Sequence, residues 1–446
     1  MVRAIQLAKA TSIGLCLLFL AGFWFGQFTH KEPVHQRKLV RFWHPASGDA
    51  EDLINKQVAA FNASQDEYEV QALSVGSHEN TKFVLGVLGR DSPDVLLEIH
   101  QVLPQWVESH LLCPLDSLMT DQERDLIKKD VYPVAKRIGM FRGHLYGMPG
   151  GFDIAVVYYR PQDLRAAGLP DRAPQSLEEL TEIGKRLTIV DKSGQIRRLG
   201  WYPVPWYTSW LSVYGSLFGG GIYDWDHDRV TIDTPQNLRS LQYLYDFGNG
   251  VGFGRISRFQ SGLSEPVESL IAGKYSFLVD GPWLIEGLKK HAPNFEYRTC
   301  PIPAPAGGVP RASYSQGGFY VIPTNAKQKT GAMKFIEFAV GLTNPRFAAK
   351  TATTGGLPMS PLVVLTPEFQ TLINQNPQYK TLVDLLTSPK IDAPWPIPYN
   401  LFLQDQITRY EDLVERGEST PKEALENIRS AVTHELARRK ELGYHD

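Results

Sequence analysis

Three carboxylates stand where they could do chemistry: Glu98 in "SPDVLLEIHQ", Asp153 in "GGFDIAVVYY" and Asp280 in "YSFLVDGPW". Two carboxylates flanking a glycosidic bond are the equipment of glycoside hydrolysis; the same groups, without turnover, accept hydrogen bonds from sugar hydroxyls. Asp280 has the most specific context. It ends a half-polar strand, Tyr275 to Val279, and leads through Gly281-Pro282 into an apolar-periodic helix with Trp283 in its first turn and Pro282 suited to position N1. An indole at such a corner can stack on the C–H face of a sugar ring and offer its one N–H donor; the alternative is that it packs beneath the following helix.

Other catalytic signals are missing or broken. No GxxxxGK[ST], GxSxG or GxGxxG occurs. In His434-Glu435-Leu436-Ala437-Arg438 the second zinc-ligand position of a metalloprotease motif holds a cation, so these read as polar residues flanking the last helix. Eleven His without ligand spacing, and three Cys (16, 113 and 300) without a CxxC pair, specify no metal site and no disulfide framework. Cys113 and Cys300 read as two buried thiols that pair only if the fold joins them. No cofactor is expected.

Aromatic residues crowd one stretch, "WYPVPWYTSW", which places Trp206, Tyr207 and Trp210 behind a strand and a Pro turn. That density exceeds what a core alone needs, so Trp206 and Trp210 are expected to line a cleft. Glu98 and His100 alternate with Ile99 at the end of a strand, so either the pair or Ile99 faces the ligand. Gly317-Gly318 suits close approach of a ligand to the backbone or a plain strand-entry turn.

The elements that must position these residues alternate. "KLVRFW" is a strand; Ala50, Leu53, Ile54, Val58 and Phe61 recur at helical spacing; "YEVQALSV" is a strand; a helix spans about Thr81 to Leu88; and "SPDVLLEI" is a strand opened by Pro93. This βαβαβ rhythm predicts a mostly parallel, helix-covered sheet. Further on, Ser176 with Glu179 predicts a capping box, Thr234-Pro235 an N-cap with Pro at N1, and Thr420 with Glu423 a second box heading a long amphipathic helix. The Gly-rich pieces "GSLFGGGIYDWD" and "GNGVGFG" read as loops.

Bulk properties bound the rest. At 446 residues two lobes are the default, since domains average about 150 residues. With 21% charged residues and a net charge of −2, there is no reserve of positive charge for a phosphate backbone, which argues against nucleic acid as a partner. Arg3 and Lys9 precede the uncharged run "TSIGLCLLFLAGFWFGQF", at the lower length limit of a membrane span. Basic residues before it predict that the remainder is exported. No small-x-small site closes the run, and Cys16 lacks the small residue that lipid attachment wants before it. The expectation is an N-terminal membrane helix over residues 12–28, either signal or anchor, within a segment 1–37 that ends in a short linker. The protein then sits in the periplasm or at the cell exterior, tethered to the membrane.

Read in order, "RFWHPASGD", "FNASQDEYEV", "SPDVLLEIHQVLPQWVESHLLCPLD", "LYGMPGGFDIAVVYYRPQDLRAAGLP", "LIAGKYSFLVDGPW", "CPIPAPAGG" and "QGGFYVIPTNAKQKTGAMKFIEFAVG" resemble the extracellular solute-binding proteins of ABC importers, in the group that captures maltose, other oligosaccharides and glycerol-3-phosphate. The likeness covers roughly residues 38 to 440. Where that family usually has Asn after "YY", this chain has Arg160, expected to touch only a surface corner. The resemblance implies an α/β two-lobe periplasmic-binding-protein-like fold, with two helix-covered mixed sheets joined by a multi-strand hinge. Lobe 1 is expected over 38–152 with 313–357, and lobe 2 over 153–312 with 358–446. It further implies that His44 begins the first ligand-facing loop, that Phe152 and Asp153 lie at the first crossing, and that the lobes close on ligand by hinge bending.

The expected function is therefore a receptor that captures a carbohydrate-like or polyol ligand between the lobes and hands it to ABC permease subunits in the membrane. Two alternatives stand beside it: an exported glycan-active enzyme using Glu98, Asp153 or Asp280, and a receptor that signals to a membrane sensor. Neither Arg311 nor Arg346 is assignable to a phosphate.

Overall fold

The structure, a computed structural model, describes residues 37–76, 79–98, 101–351 and 356–444. The apolar run at 12–28 and His100, both given roles above, lie outside the described residues. Among the described residues no helix is long and apolar enough to cross a membrane.

Twelve strands carry the architecture: β1 (Lys38–His44), β2 (Tyr68–Ser74), β3 (Val95–Glu98), β4 (Met148–Phe152), β5 (Val156–Tyr159), β6 (Ile189–Val190), β7 (Ile196–Tyr202), β8 (Tyr275–Asp280), β9 (Arg298–Cys300), β10 (Ser313–Tyr314), β11 (Gly317–Val321) and β12 (Ile391–Asp392). They form two five-stranded sheets, ordered β2-β1-β3-β11-β4 and β9-β5-β8-β7-β6, with β10 and β12 pairing separately. The parallel βαβαβ unit expected from the sequence is present as β1 to β3, joined by helices Asp49–Ser64 and Glu79–Leu88. The sheet as a whole is mixed, because β11 runs antiparallel to both β3 and β4. The second sheet is mixed as well: β8 pairs parallel with β7 and antiparallel with β5.

Side-chain alternation explains how both faces of the second sheet are filled. Val156 and Tyr158 of β5 enter one core and Val157 and Tyr159 the other. Every residue of β8 is consequently buried, so the half-polar strand expected at Tyr275 to Val279 is a central one, with Ser276 bonded to the Asp163 carboxylate at 2.8 Å.

Several local expectations hold and several are corrected. Thr420 and Glu423 form the complete capping box at the head of the helix Pro421–Glu441, and Thr234 caps the helix Pro235–Val251 with Pro235 in its first turn. The Ser176 box is only half made. Ser176 accepts the Glu179 N–H at 3.1 Å, but the Glu179 carboxylate turns to the Gln175 N–H and the Arg172 guanidinium, at 2.6 and 2.7 Å. "GNGVGFG" is not a loop: Gly248 and Gly250 are helical, and only Gly252, at φ 99°, breaks Pro235–Val251 from Phe253–Gln260. Gly248 is needed there because a Cβ would stand 2.3 Å from the Phe253 ring. In the other Gly-rich piece, Gly215 to Leu217 end the helix Trp210–Leu217.

Arg160 is not a surface corner. Its side chain is 12% exposed, donates to the Leu270 carbonyl at 2.7 Å and to Asp163 at 3.1 Å, and thus ties the helix Pro161–Ala166 to the helix Pro266–Ile271. Cys113 and Cys300 are both buried and unpaired to one another, and burial pushes the Cys300 thiol up to about 12. His434 and Glu435 lie within the last helix, where Glu435 binds Arg438 at 2.7 Å.

Candidate functional site

Strand direction brings the two sheets' edges together. In the first sheet β1 and β3 are parallel, so His44 and Glu98 end at one edge. Because β11 is antiparallel to β3, it begins at that same edge with Gly317-Gly318, and Gly317 pairs with Phe152 at the end of β4. From Phe152 the chain needs only four residues to reach Val156, which lies opposite Asp280 in the second sheet. The carboxyl ends of parallel strands, where ligands gather in open α/β sheets, therefore meet across this crossing.

Asp153 sits in the crossing. Its backbone N–H donates to the Gln316 carbonyl at 2.8 Å, its Oδ1 accepts the Gln316 N–H at 3.0 Å, and its carbonyl accepts the Ser315 hydroxyl. Asp280, wholly buried, accepts at Oδ1 from its neighbour Gly281 N–H at 2.7 Å and from the Trp206 indole N–H at 3.1 Å. Burial pushes the Asp153 carboxyl up to about 8, with the Asp280 charge adding to the rise, and pushes Asp280 up to about 7.

The corner after β8 shows why a Trp can stand there. Pro282 is the N-cap rather than N1, and Trp283 is the first helical residue. The indole folds back across Gly281 so closely that a Cβ on that glycine would lie 2.4 to 2.6 Å from ring atoms. Trp283 faces Tyr207 and Trp206 edge-on, at centroid distances of 4.7 and 6.1 Å. Its N–H faces the Asp280 carboxylate and favours the charged form, short of a formed hydrogen bond. The Asp280 Oδ2, Trp283 Nε1, Tyr207 hydroxyl and Thr208 Oγ1 are all buried without a hydrogen-bond partner among the described residues. Four such atoms on adjoining residues need an explanation, since buried polar groups are ordinarily bonded.

The expected site residues thus separate into groups. Asp153, Asp280, Trp206 and Trp283 adjoin one another, and Trp206 is 57% exposed. His44 and Glu98 lie on the facing sheet edge but are enclosed, at 1% and 0% exposure; burial lowers the His44 pKa and favours the neutral imidazole. Phe152 is a core residue at 2%. Gly317 answers to the backbone, because its Cβ would stand 2.5 Å from the Gly151 carbonyl oxygen, and Gly318 follows it in the same strand.

Trp210 is a correction. Ser209 caps a helix whose first residue is Trp210, so the ring points inward, 2% exposed, stacked on Tyr214 at 3.8 Å and bonded through Nε1 to Ser240 at 2.9 Å. It is core. Trp395 is likewise buried, at 1%.

Tyr207, from the same aromatic stretch, stands against Trp283 and close to Asp153 and Asp280. Burial, with the charges of Asp153 and Asp280, holds its phenol neutral. Gln101 was missed: it donates to the Tyr314 hydroxyl at 3.2 Å and to Gln316, and accepts from Asn400 at 3.3 Å. Nothing local in the sequence marks it, since its partners lie more than 200 residues away.

The family description "bacterial extracellular solute-binding protein" matches residues 56–381, well over half of the chain. The chain belongs to that family. This solute-binding receptor is 22% identical over 318 residues to the maltotriose-binding protein of Pyrococcus abyssi, spanning 68% of the receptor and 63% of that relative. It is 21% identical over 409 residues to the sn-glycerol-3-phosphate-binding periplasmic protein of Pectobacterium atrosepticum, covering 87% and 89%. Its fold is that of the cyclic alpha-maltosyl-1,6-maltose binding protein of Arthrobacter globiformis, with a TM-score of 0.73 at 21% identity over 89% of this chain and 98% of that one. The two-lobe α/β architecture of the receptor is thereby shown.

Proposed function

We propose that this solute-binding receptor of an ABC importer captures a neutral, polyhydroxylated ligand, a sugar or polyol, at Asp153, Asp280, Trp206, Trp283 and Tyr207, and that hinge closure excludes water from it. The observation that carries the reading is the cluster of four buried, unpartnered polar atoms beside a half-exposed indole. An apolar ring face with hydroxyls around its rim supplies both what the indoles stack on and what those atoms bond. Arg311 and Arg346, the cations weighed for a phosphate, are engaged elsewhere. Arg311 donates to Asp384 and Thr387, and Arg346 pairs with Glu368 at 2.6 Å.

The glycan-active enzyme is the poorer reading. The family to which the chain belongs is described by solute binding, not by turnover. We propose also that the run 12–28 tethers the receptor outside the cytoplasmic membrane, that permease subunits take the ligand on opening, and that the lobes divide at 152/153, 312/313 and 357/358.

Differential scanning fluorimetry with sugars, polyols and glycerol phosphate tests the reading. A true ligand at a hundredfold excess over its Kd adds about 2.7 kcal/mol of stability. A shift with a sugar or polyol, lost in Trp283→Ala while the fold is kept, is expected; a shift with glycerol phosphate alone would overturn the neutral-ligand reading.

A further inference from the structure

The loop that carries Trp206 and Tyr207 has no ladder of its own. It leaves β7 after Tyr202 and ends at Ser209, and among the described residues no backbone N–H of Val204, Trp206, Tyr207 or Thr208 reaches a backbone carbonyl. Both ends are held instead by one helix, Asn400–Glu415. At the near end Tyr202 donates to Glu415 at 3.0 Å. At the far end Glu411, 5% exposed, accepts the Trp210 N–H at Oε2 and the Leu211 N–H at Oε1, both at 2.7 Å. Glu411 and Glu415 stand one helical turn apart, so one face of the helix grips both ends. Ser209 already caps the helix Trp210–Leu217 by accepting the Ser212 N–H at 3.3 Å. A start so capped does not require a buried carboxylate, and burial pushes Glu411 up to about 8, a sign of what its enclosure costs. What the carboxylate adds is direction: two bonds to one planar group fix the first two peptide planes of the helix, and with them the line along which the loop departs.

We propose that Glu411 is a positioning residue for ligand binding, setting from the helix Asn400–Glu415 where Trp206 and Tyr207 stand beside Asp280 and Trp283. The proposal rests on the site reading above and deepens it. Both Glu411 oxygens are engaged by backbone N–H groups, so it acts through the loop. Trp206 and Tyr207 come just before Trp210 in the chain, and Pro203 and Pro205 restrict the backbone behind them, so a rotation of the helix start carries both rings along. Trp206 then leaves its 3.1 Å bond to Asp280, and Tyr207 its edge-on contact with Trp283 at 4.7 Å.

Indole N–H resonances of the isotope-labelled full chain test this without any ligand, the Trp206 signal being assigned by its absence in Trp206→Phe. Glu411→Gln keeps the side chain's shape but offers one acceptor to two N–H groups, and Glu411→Asp keeps the carboxylate but withdraws it by one methylene. The Trp206 signal is expected to be displaced in both, and less in Glu411→Asp. The Trp210 signal, whose N–H is held separately by Ser240 at 2.9 Å, is expected to stay. In calorimetry with maltotriose and mannotriose, the sugar that binds is expected to bind folded Glu411→Gln about tenfold more weakly. A Trp206 signal unmoved in both variants, or an affinity within about twofold of the unaltered receptor, would overturn the positioning role. So would a Trp210 signal that moves with that of Trp206, since the whole helix would then be disrupted. Failure of both sugars to bind the unaltered receptor would count against the sugar reading, and the Trp206 and Trp210 signals would still decide the role of Glu411.

Discussion

The Arg439 guanidinium near the end of the last helix holds both oxygens of Glu108, at 2.7 and 2.9 Å, across 331 residues of sequence. Glu108 ends the short helix that follows β3, so this contact ties the C-terminal helix to the first sheet's surroundings. The two side chains are 9% and 13% exposed, and the rings of Tyr444 and Tyr399 flank the guanidinium at 4.8 and 5.7 Å. Removing one partner of a buried pair strands the other charge, which costs about 3–5 kcal/mol. Glu108→Ala and Arg439→Ala are each expected to lose that much in urea denaturation, and the double variant much less than their sum. Strict additivity would show that the pair does not couple.

Two tryptophans four residues apart are expected to behave oppositely. Trp210→Ala opens the core under the helix Trp210–Leu217 and should cost about 3–5 kcal/mol. Trp206→Ala touches a half-exposed ring and should change stability by about 1 kcal/mol or less, while ligand binding is lost. Thermal melts with and without ligand separate the two effects, and equal destabilisation would contradict the burial difference.

Gly281→Ala places a methyl where the Trp283 ring lies. Overpacking of this kind costs about 1–3 kcal/mol. The indole must swing away from Asp280, so ligand affinity should fall further than stability does. Tryptophan fluorescence and calorimetry on the folded variant check this; unchanged affinity would remove Trp283 from the site.

Stability should fall as the pH rises. Asp153 and Asp280 have folded-state pKa values raised to about 8 and about 7 by burial, above the ordinary carboxyl range. The folded state therefore holds protons that the unfolded chain releases, and the stability these groups contribute is complete at low pH and is lost as pH rises through about 7 to 8. Melting temperatures from pH 5 to 9 should show that decline, and Asp153→Asn and Asp280→Asn should each flatten it. Buried Glu411, raised to about 8, remains as background in both variants. A slope unaltered by either substitution would place the titration elsewhere.

Much of the scaffold was legible because its signals are short-ranged. Thr234 with Pro235 and Thr420 with Glu423 act within one helical turn, and the β1 to β3 rhythm is written in side-chain periodicity. Asp280-Gly281-Pro282-Trp283 announced a strand-to-helix corner for the same reason. What the sequence determined by itself was thus the alternation of elements, their ends and the ordered motifs of the family. Only the tertiary structure decided which side of each element meets another. Trp206 and Trp210 share a loop-like stretch, yet the helix capped by Ser209 turns one ring into the core and leaves the other half-exposed beside Asp280. Glu179 was drawn from its cap by Arg172, Gly317 proved to serve a neighbouring strand, and Gln101 found partners over 200 residues away. Burial and charge depend on what packs from afar, and a carboxylate such as Asp153 acquires its raised pKa only when the crossing chain encloses it beside Asp280.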